Sequence, residues 1–429
     1  MKNSLLSLFA SGVLMFSSVN AGGLDATFLH GSRNNAMGGH HVALTGDAFG
    51  PYLNPGNMTA LDRPMVALSN TNLLFQNEAP IGSANAQRKS VMGFGPYFYT
   101  GGVYPLNDRI AFGLAVFTTQ SQGGTFKGVD YGPVMTDKEY SNLLFRIEIS
   151  PAVAVKLEDH FSVGAAWKIG YTRYDKKVGT FNGVNSVFMD SSVTNWDAKG
   201  LKLGALFDSL KGLKIGLTYR FENPIEFDGK TDIYTSLNPN TPTYDDVDTT
   251  QKITLPQQIQ VGLTYEWIPD RFMTAFSYEY TMNEVIEADA PVFDSAFVAA
   301  NPLFAAANIS NPLHYRNGHT LHGGAEYTFH LHAQNKLRLG AGLAYDRAVT
   351  RSSNPNPVIP PSESYLGGTL GLTYEMLHHI FGMSLAYGRY SDNTSAAELD
   401  PELQLKKTAF PGKYGIETFN VAWDYQYRF

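Results

Sequence analysis

The chain has 429 residues, a formal net charge of −7 and no cysteine. The lack of cysteine excludes disulfides, lipidation at an N-terminal cysteine, and cysteine as a nucleophile or metal ligand. The mildly acidic balance argues against nucleic acid as a partner, because binding to phosphates needs a basic patch.

The first 21 residues predict a secretory signal peptide. One lysine precedes an apolar run, and the stretch ends on VNA, a small-residue cleavage pattern. The apolar run is too short and too rich in serine for a membrane span, and a buried N-terminal helix is the alternative. We therefore expect residues 1–21 to be removed on export, with the mature chain starting at Gly22.

Residues 22–62 show no strand period. They mix glycine turns with a few apolar residues that are suited to anchoring the segment on a surface. A disordered tail is the alternative, although disordered segments rarely carry so many apolar residues.

Long stretches of two-residue alternation follow. In Lys211–Glu222 every odd position from Leu213 to Phe221 is apolar or aromatic, and in Ile253–Trp267 only Gln257 breaks the odd apolar face. Alternation over about a dozen residues predicts strands roughly twice as long as those of most globular sheets. The same pattern recurs in Leu143–Leu157, Leu321–His330, Leu337–Asp346 and Phe419–Phe429.

Two all-β architectures fit such strands, a soluble sandwich and an outer-membrane β-barrel. Aromatic pairs near strand ends, Tyr219/Phe221 and Tyr265/Trp267, are typical of the girdles at the two membrane–water interfaces. Together with the strand length and the signal peptide, they favour a barrel whose odd positions face lipid.

Short and long connections alternate along the chain. The predicted long loops span roughly 78–88, 122–139, 178–194, 230–250, 287–315, 349–361 and 393–412. Short periplasmic turns and long outer loops are typical of outer-membrane barrels.

The sequence therefore predicts an all-β fold, a transmembrane antiparallel β-barrel of about 14 strands over residues 63–429 with both termini in the periplasm. The last strand should pair with residues 63–77, so that no sheet edge is left in the membrane. The lumen of such a barrel is too wide for its own side chains to fill, so we interpret residues 22–62 as an N-terminal hatch, or plug.

The segment 36–63 carries three short motifs, AMGG, GDA and NPG, followed by RP. It resembles the hatch of the FadL family of outer-membrane transporters for long-chain fatty acids and other hydrophobic compounds. The family triad is usually Asn-Pro-Ala, and Asn54, Pro55 and Gly56 occupy it here. LTYR followed by FDG, and LP at the start of a strand, are further matches.

The resemblance implies uptake by lateral release. An apolar molecule is captured among the outer loops, passes into the barrel above the hatch, and leaves sideways through a gap at an inward kink in the third strand. Here the third strand is Arg109–Gln120, and Ser121, Gln122, Gly123 and Gly124 follow it as the candidate lateral gate, with an ordinary loop start as the alternative. The second interpretation of the whole chain is a barrel of this family that serves as a scaffold or partner for another envelope protein.

Two further sites follow from the resemblance. The loop 287–315 is rich in apolar residues and is the candidate capture site, although a loop folded over the mouth is the alternative. Alignment gives Arg173 as a partner for a substrate carboxylate, although its parity is that of the lipid face, whereas Arg146, Lys168 and Arg220 have inward parity. The candidate capture residues are Phe297, Val298, Leu303, Phe304 and Ile309.

No catalytic pair, cofactor site or metal site is predicted. Five histidines lie between His314 and His332, but no histidine pair has carboxylate or cysteine support in the sequence. Tyr427 and Phe429 resemble the C-terminal signal read by the barrel assembly machinery. We expect a monomer in the bacterial outer membrane that contacts lipid and lipopolysaccharide and binds a hydrophobic small molecule.

Overall fold

The computed structural model describes residues 28–181, 183–286, 291–301, 313–332, 335–347, 349–359, 361, 364–405 and 409–429. Strands dominate these residues, and no helix among them is long and apolar enough to cross a membrane. The helices are α1 (Ser32–Ala36), α2 (Ser295–Ala300) and α3 (Pro401–Leu405), with 3-10 turns η1 (Pro55–Ala60) and η2 (Asn283–Val285).

The strand segments follow one another as antiparallel neighbours. They are β1 (Met65–Ile81), β2 (Ala86–Lys89), β3 (Gly93–Pro105), β4 (Ile110–Val129), β5 (Lys138–Glu158), β6 (Phe161–Phe181), β7 (Ser186–Leu210), β8 (Leu213–Arg220), β9 (Asn223–Thr235), β10 (Tyr244–Leu255), β11 (Gln258–Ile268), β12 (Phe272–Thr281), β13 (Val292–Phe293), β14 (Gly318–His330), β15 (Lys336–Asp346), β16 (Tyr365–Met376), β17 (His379–Thr394) and β18 (Gly412–Arg428).

Four pairs of segments (β2/β3, β8/β9, β10/β11 and β12/β13) continue one another across a break, so the wall is a closed 14-strand barrel. The barrel closes where β18 pairs with β1, from Met65 opposite Arg428 to Glu78 opposite Gly415. Closure gives every strand a neighbour on both sides and leaves no free sheet edge, which a bilayer demands. The predicted fold class and the seam at the last strand are confirmed.

The closing strand also has the predicted orientation. Phe419 and Trp423 point outward and are 39% and 47% exposed, whereas Asn420 and Asp424 are buried on the inner face. Odd positions of β18 therefore face lipid, and the polar even positions face the lumen.

The predicted bounds of four outer loops are wrong. The segments predicted as the loops 78–88, 122–139, 178–194 and 230–250 are mostly strand; β4, for example, continues to Val129, and the turn between β6 and β7 lies only between Phe181 and Ser186. Beyond the membrane neither strand face touches lipid, so the alternation that marks a strand disappears while the ladder continues.

A break between β10 and β11 reverses which side chains face the lumen. Val261 and Leu263 on β11 are exposed, whereas Ile253 and Leu255 on β10 are buried inside the barrel. The single outward odd face predicted across this break is therefore wrong for β10. Pro256 lies in the break and has no N–H for the ladder, which is why pairing lapses there.

Residues 28–62, called here the hatch segment, contact inward-facing residues around the barrel. Helix α1 contacts β15 to β18, and η1 contacts β4 to β7 on the other side. Glycines in the wall make the room, since a methyl group at Gly342 would overlap Met37 and one at Gly204 would overlap Asn54. Only glycine fits at these two wall positions, because the hatch segment comes so close to the strand backbone.

Candidate functional site

Asn54 of the predicted hatch motif joins the hatch segment to the wall. Its side-chain oxygen accepts from the N–H of Gly56 at 2.9 Å and caps η1. Its side-chain nitrogen donates to the carbonyls of Val42, at 2.8 Å, and of Ala205 on β7, at 2.9 Å. The side chain is fully buried, and Asn57 also donates to the carbonyl of Val42, at 3.1 Å, so the two amides share this acceptor.

The other two motif residues pack directly on wall backbone. A Cβ at Gly164 on β6 would lie 2.6 Å from the carbonyl carbon of Pro55. A Cβ at Gly56 would lie 3.0 Å from the backbone of Ala205, so an alanine at this position requires the hatch segment or the wall to shift by a few tenths of an ångström.

Ionic contacts attach the hatch segment to the opposite wall. Arg33 makes a two-pronged contact with Glu326 on β14, with both N···O distances 2.8 Å. Both the hydroxyl and the backbone N–H of Ser32 donate to Asp424 on β18. The planar guanidinium of Arg33 binds the Glu326 carboxylate through two hydrogen bonds, so this ion pair fixes the orientation of α1.

The third strand, β4, leaves its neighbour halfway along the wall. Its ladder with β3 ends at the pair Tyr99 and Phe117, although both strands continue beyond that point. On the other side, the register with β5 shifts between Thr118 and Gln120, so Thr119 is the extra residue of a bulge. Backbone hydrogen bonding resumes beyond the gap, where the N–H of Val91, between β2 and β3, donates to the carbonyl of Thr125.

Side chains replace the missing ladder in this gap. The Tyr97 hydroxyl contacts the carbonyl of Ser121 at 3.1 Å and its N–H at 3.2 Å, and the Asn77 amide donates to the carbonyl of Gly123 at 3.4 Å. A Cβ at Gly123 would overlap the carbonyl of Asn142, and one at Gly124 would lie 2.5 Å from Asn77. The predicted gate residues therefore border the gap; of Gln122 the structure describes the backbone position alone.

His30 of the hatch segment holds β4 at the start of the gap. Its Nε2 lies 2.8 Å from the carbonyl of Thr118. Burial lowers the pKa of His30 to about 3, so the ring is neutral and Nε2–H donates this bond. The hatch segment thus bonds to the backbone of β4 one residue beyond the end of the ladder with β3.

A cavity lies between the hatch segment and the gap. Its volume is about 50 Å³, counted as the space that the centre of a water molecule can occupy. Apolar and aromatic side chains line it together with several charged ones. The lining residues are Leu29, His40, Tyr52, Leu53, Phe117, Thr119, Gln120, Glu148, Lys168, Lys202, Arg220, Leu255, Gln258 and Gln260.

The charges in this cavity are mainly positive. Lys168 lies 4.6 Å from the centre of the Phe117 ring, and Lys202 donates to the carbonyl of Tyr52 at 3.0 Å. Glu148 is paired with the buried guanidinium of Arg146 at 2.9 Å. Lys168, Lys202 and Arg220 therefore outnumber the single carboxylate that lines the cavity.

An apolar cluster lies in the lumen above the cavity. The parity reversal at the strand breaks turns Ile225 and Phe227 of β9 and Leu255 of β10 inward, where they pack with residues from the outer loops. This apolar cluster consists of Leu144, Tyr174, Val193, Ile225, Phe227, Ile253, Leu255, Ile286, Leu313, Tyr315 and Val349.

The outer loops hold part of the predicted capture site. Phe297 lies on α2 and packs against Tyr244 and Phe293, with ring centroids 5.1 and 5.9 Å away, and Val298 is half-buried. Leu303, Phe304 and Ile309 lie outside the described residues.

The structure does not bring Arg173 into the lumen. The side chain is 47% exposed on the outer face and pairs with Asp175 at 2.8 Å. Arg146 and Lys168, which have the opposite parity, are buried inside. The cationic residues at the cavity thus lie at even positions of their strands, which the sequence predicts to face inward.

A closed outer-membrane barrel with a chain segment inside it and a local gap in its wall defines the class of plugged membrane channels. The family model described as outer membrane protein transport protein (OMPP1/FadL/TodX) matches residues 14–429. The chain therefore belongs to this family, whose location is the bacterial outer membrane. No curated protein matches the chain.

Solved structures share the fold at low sequence identity. A FadL homologue of Pseudomonas aeruginosa has a TM-score of 0.72 and 17% identity, over 96% of this chain and 99% of that one. The P. putida toluene transporter TodX has a TM-score of 0.71 and 15% identity, over 94% and 99%. The Ralstonia pickettii toluene transporter TbuX has a TM-score of 0.66 and 17% identity, over 94% and 99%.

Proposed function

We propose that this protein takes up hydrophobic small molecules and releases them sideways into the outer membrane through the gap between β3 and β4. The end of the ladder at Tyr99 and Phe117, next to a cavity lined by Phe117, carries the proposal. Unpaired backbone is costly in lipid, so a gap in an otherwise closed wall favours a functional origin.

The apolar cluster gives this route its upper part. A molecule captured near Phe297 and Val298, together with Leu303, Phe304 and Ile309, would reach the cavity through that cluster. The hatch segment blocks the periplasmic exit, so the gap is the open direction. Leaving sideways spares an apolar solute from crossing water or the polar lipopolysaccharide layer.

Export and assembly complete the proposal. Residues 1–21 direct export and are removed, and Tyr427 and Phe429 on the last strand are read by the barrel assembly machinery. In the folded chain the Phe429 N–H donates to the carbonyl of Pro64, so the signal becomes part of the barrel seam. The chain acts as a monomer, because one barrel contains the whole route.

The charges of the cavity favour amphipathic anions, such as long-chain fatty acids, over neutral hydrocarbons. Lys168, Lys202 and Arg220 lie beside Phe117 and Tyr52, so the cavity offers a carboxylate a positive charge with an apolar surface next to it. TodX and TbuX are described as toluene transporters, and in this protein toluene would bind the apolar part of the same cavity.

Removing the bulge tests the route. Deleting Thr119 restores the register between β4 and β5, whereas Thr119→Ala keeps the bulge and serves as the control. We expect the deletion to abolish uptake of radiolabelled oleate and toluene by cells lacking other channels for them, and the substitution to leave uptake near normal. Full uptake through a correctly assembled deletion variant would refute lateral release.

Neutralising the cavity tests the substrate class. In Lys168→Gln with Lys202→Gln, each amide still donates to the hatch carbonyls of Pro51 and Tyr52. We expect oleate uptake to fall about tenfold, equivalent to roughly 1.4 kcal/mol, with toluene uptake unchanged. Equal losses for both probes would mean that the positive charges do not select the substrate.

A further inference from the structure

Two histidines and a carboxylate meet where the hatch segment touches the wall. His40 belongs to the hatch segment, Glu279 to β12 and His322 to β14, and one ligand atom from each lies within 4.8 Å of the others. Their side chains are buried or nearly so. We propose that His40, Glu279 and His322 bind a divalent transition metal ion, with Zn²⁺ the best match, that fastens the hatch segment to the barrel.

The ring of His322 has the orientation that a metal ligand needs. Its Nδ1 lies 2.8 Å from the carbonyl of Gly38 and donates its proton there. Nε2 therefore carries the lone pair, and it has no hydrogen-bond partner among the described residues although the side chain is only 1% exposed. A backbone carbonyl on one nitrogen that leaves the other free is the usual support of a metal-binding histidine.

His40 and Glu279 supply the other two ligands at a suitable spacing. His40 Nδ1 lies 3.4 Å from Glu279 Oε2. Two ligands bound at about 2.0–2.1 Å to a tetrahedral Zn²⁺ lie roughly 3.4 Å apart. The Tyr52 hydroxyl contacts His40 Nε2 at 2.9 Å, which leaves Nδ1 to face Glu279.

The backbone of His40 supports this arrangement. Its φ of +50° lies in the left-handed region, which is uncommon for a residue other than glycine, and turns the ring toward the wall. Unfavourable backbone conformations of this kind cluster at functional sites.

The chemistry of the three ligands selects the kind of ion. Imidazole nitrogen with one carboxylate suits Zn²⁺ and related divalent ions better than Mg²⁺ or Ca²⁺, which prefer oxygen ligands. His40 also lines the luminal cavity, so an ion can arrive from the lumen, and a water molecule can complete the coordination. Because the ligands come from both the hatch segment and the wall, an ion that binds only the docked arrangement stabilises docking.

Metal titration of the full-length barrel in detergent tests the proposal. After chelation and dialysis, zinc binding is measured by calorimetry and Co²⁺ binding by its visible absorption. We expect one equivalent of zinc in the wild type, and at least about tenfold weaker binding in Glu279→Gln and His322→Gln. His319→Gln is the matched control, since His319 lies on the same strand and its Nδ1 contacts the Tyr278 hydroxyl instead.

Two results would overturn the proposal. One is a wild type with no saturable zinc binding, and the other is an affinity in His322→Gln equal to that in His319→Gln. Folding is checked without metal by the heat-dependent gel migration of the barrel. His40→Gln, which changes the hatch segment and leaves the wall intact, keeps the test decisive if a wall variant fails to assemble.

Discussion

At the scale of single residues, the Tyr97 hydroxyl bridges the gap beside β4. Tyr97 lies on β3, and its hydroxyl contacts the carbonyl and the N–H of Ser121, which have no backbone partner on β3. Tyr97→Phe leaves these groups unpaired at a cost of about 1–3 kcal/mol and should loosen β4 locally. Hydrogen exchange of residues 118–124 should then accelerate by about tenfold or more, as measured by mass spectrometry.

Tyr104→Phe is the control for this prediction, because Tyr104 lies on the same strand and is 57% exposed on the outer face. In Tyr104→Phe, hydrogen exchange of residues 118–124 should proceed at the wild-type rate. Unchanged exchange in Tyr97→Phe would mean that Ser121 is held by something other than the hydroxyl.

The hatch histidines predict how docking depends on pH. Burial lowers the pKa of His30 to about 3 and that of His41 to about 4, from an ordinary value of 6.5. The released segment binds these protons first, so docking is strongest above pH 6.5 and weakens as the pH falls toward 4. Asp47 opposes this, because burial raises its pKa to about 6 and the docked form keeps its proton, but it is one group against two.

Release of the hatch segment by urea, measured at two pH values, tests whether docking weakens as the pH falls. A dye on Ala60→Cys, at the exposed end of η1, should report release at lower urea at pH 5 than at pH 7. His30→Gln keeps a donor for Thr118 but does not titrate, so the difference between the two pH values should shrink. A midpoint that rises at pH 5 would show that Asp47 dominates.

At the scale of elements, glycines on the inner face of the wall determine how closely the hatch segment docks. Two neighbours on β14 separate this effect, since a Cβ at Gly324 would overlap the carbonyl of Met37 and a Cβ at Gly323 meets nothing within 4 Å. Gly324→Ala should weaken docking by about 1–3 kcal/mol, as overpacking does, and Gly323→Ala should leave it unchanged. Ion conductance through single barrels in planar bilayers measures the leak, and equal leaks in both variants would contradict this account.

The alternation in β5, β11 and β18 made these elements predictable, because lipid on one side and polar contacts on the other impose a two-residue period. The inward turn of Ile253 and Leu255 was not predictable from that period, because Pro256 interrupts the strand and resets the parity. Inward glycines at regular strand positions, such as Gly324, are a further sequence signal for close packing.

Some parts of the candidate sites were likewise predictable from the sequence, and others were not. The NPG motif and the glycines after Gln120 are local signals, and the hatch contacts and the gap lie at them. The cluster of His40, Glu279 and His322 joins residues more than two hundred positions apart, so only the closed barrel brings a carboxylate to the histidines. The tyrosine that bridges the gap was likewise not predictable, because Tyr97 resembles any aromatic residue of a strand.

At the scale of the whole molecule, the barrel separates two routes that a cross-link can distinguish. Ala36 of α1 and Gly340 of β15 are close neighbours, since a Cβ at Gly340 would lie 3.0 Å from the Cβ of Ala36, and the chain has no cysteine of its own. A shift of about half an ångström brings this pair into the range of a disulfide, so Ala36→Cys with Gly340→Cys should form one that fixes the hatch segment in place.

Lateral release leaves the hatch segment docked, so the oxidised double variant should take up oleate at the rate of the reduced one. Passage into the periplasm requires the hatch segment to move, and the disulfide would then stop uptake until a reductant restored it. The single-cysteine variants control for the substitutions themselves. Uptake that stops on oxidation in the double variant alone would replace the gap between β3 and β4 with a route through the hatch segment.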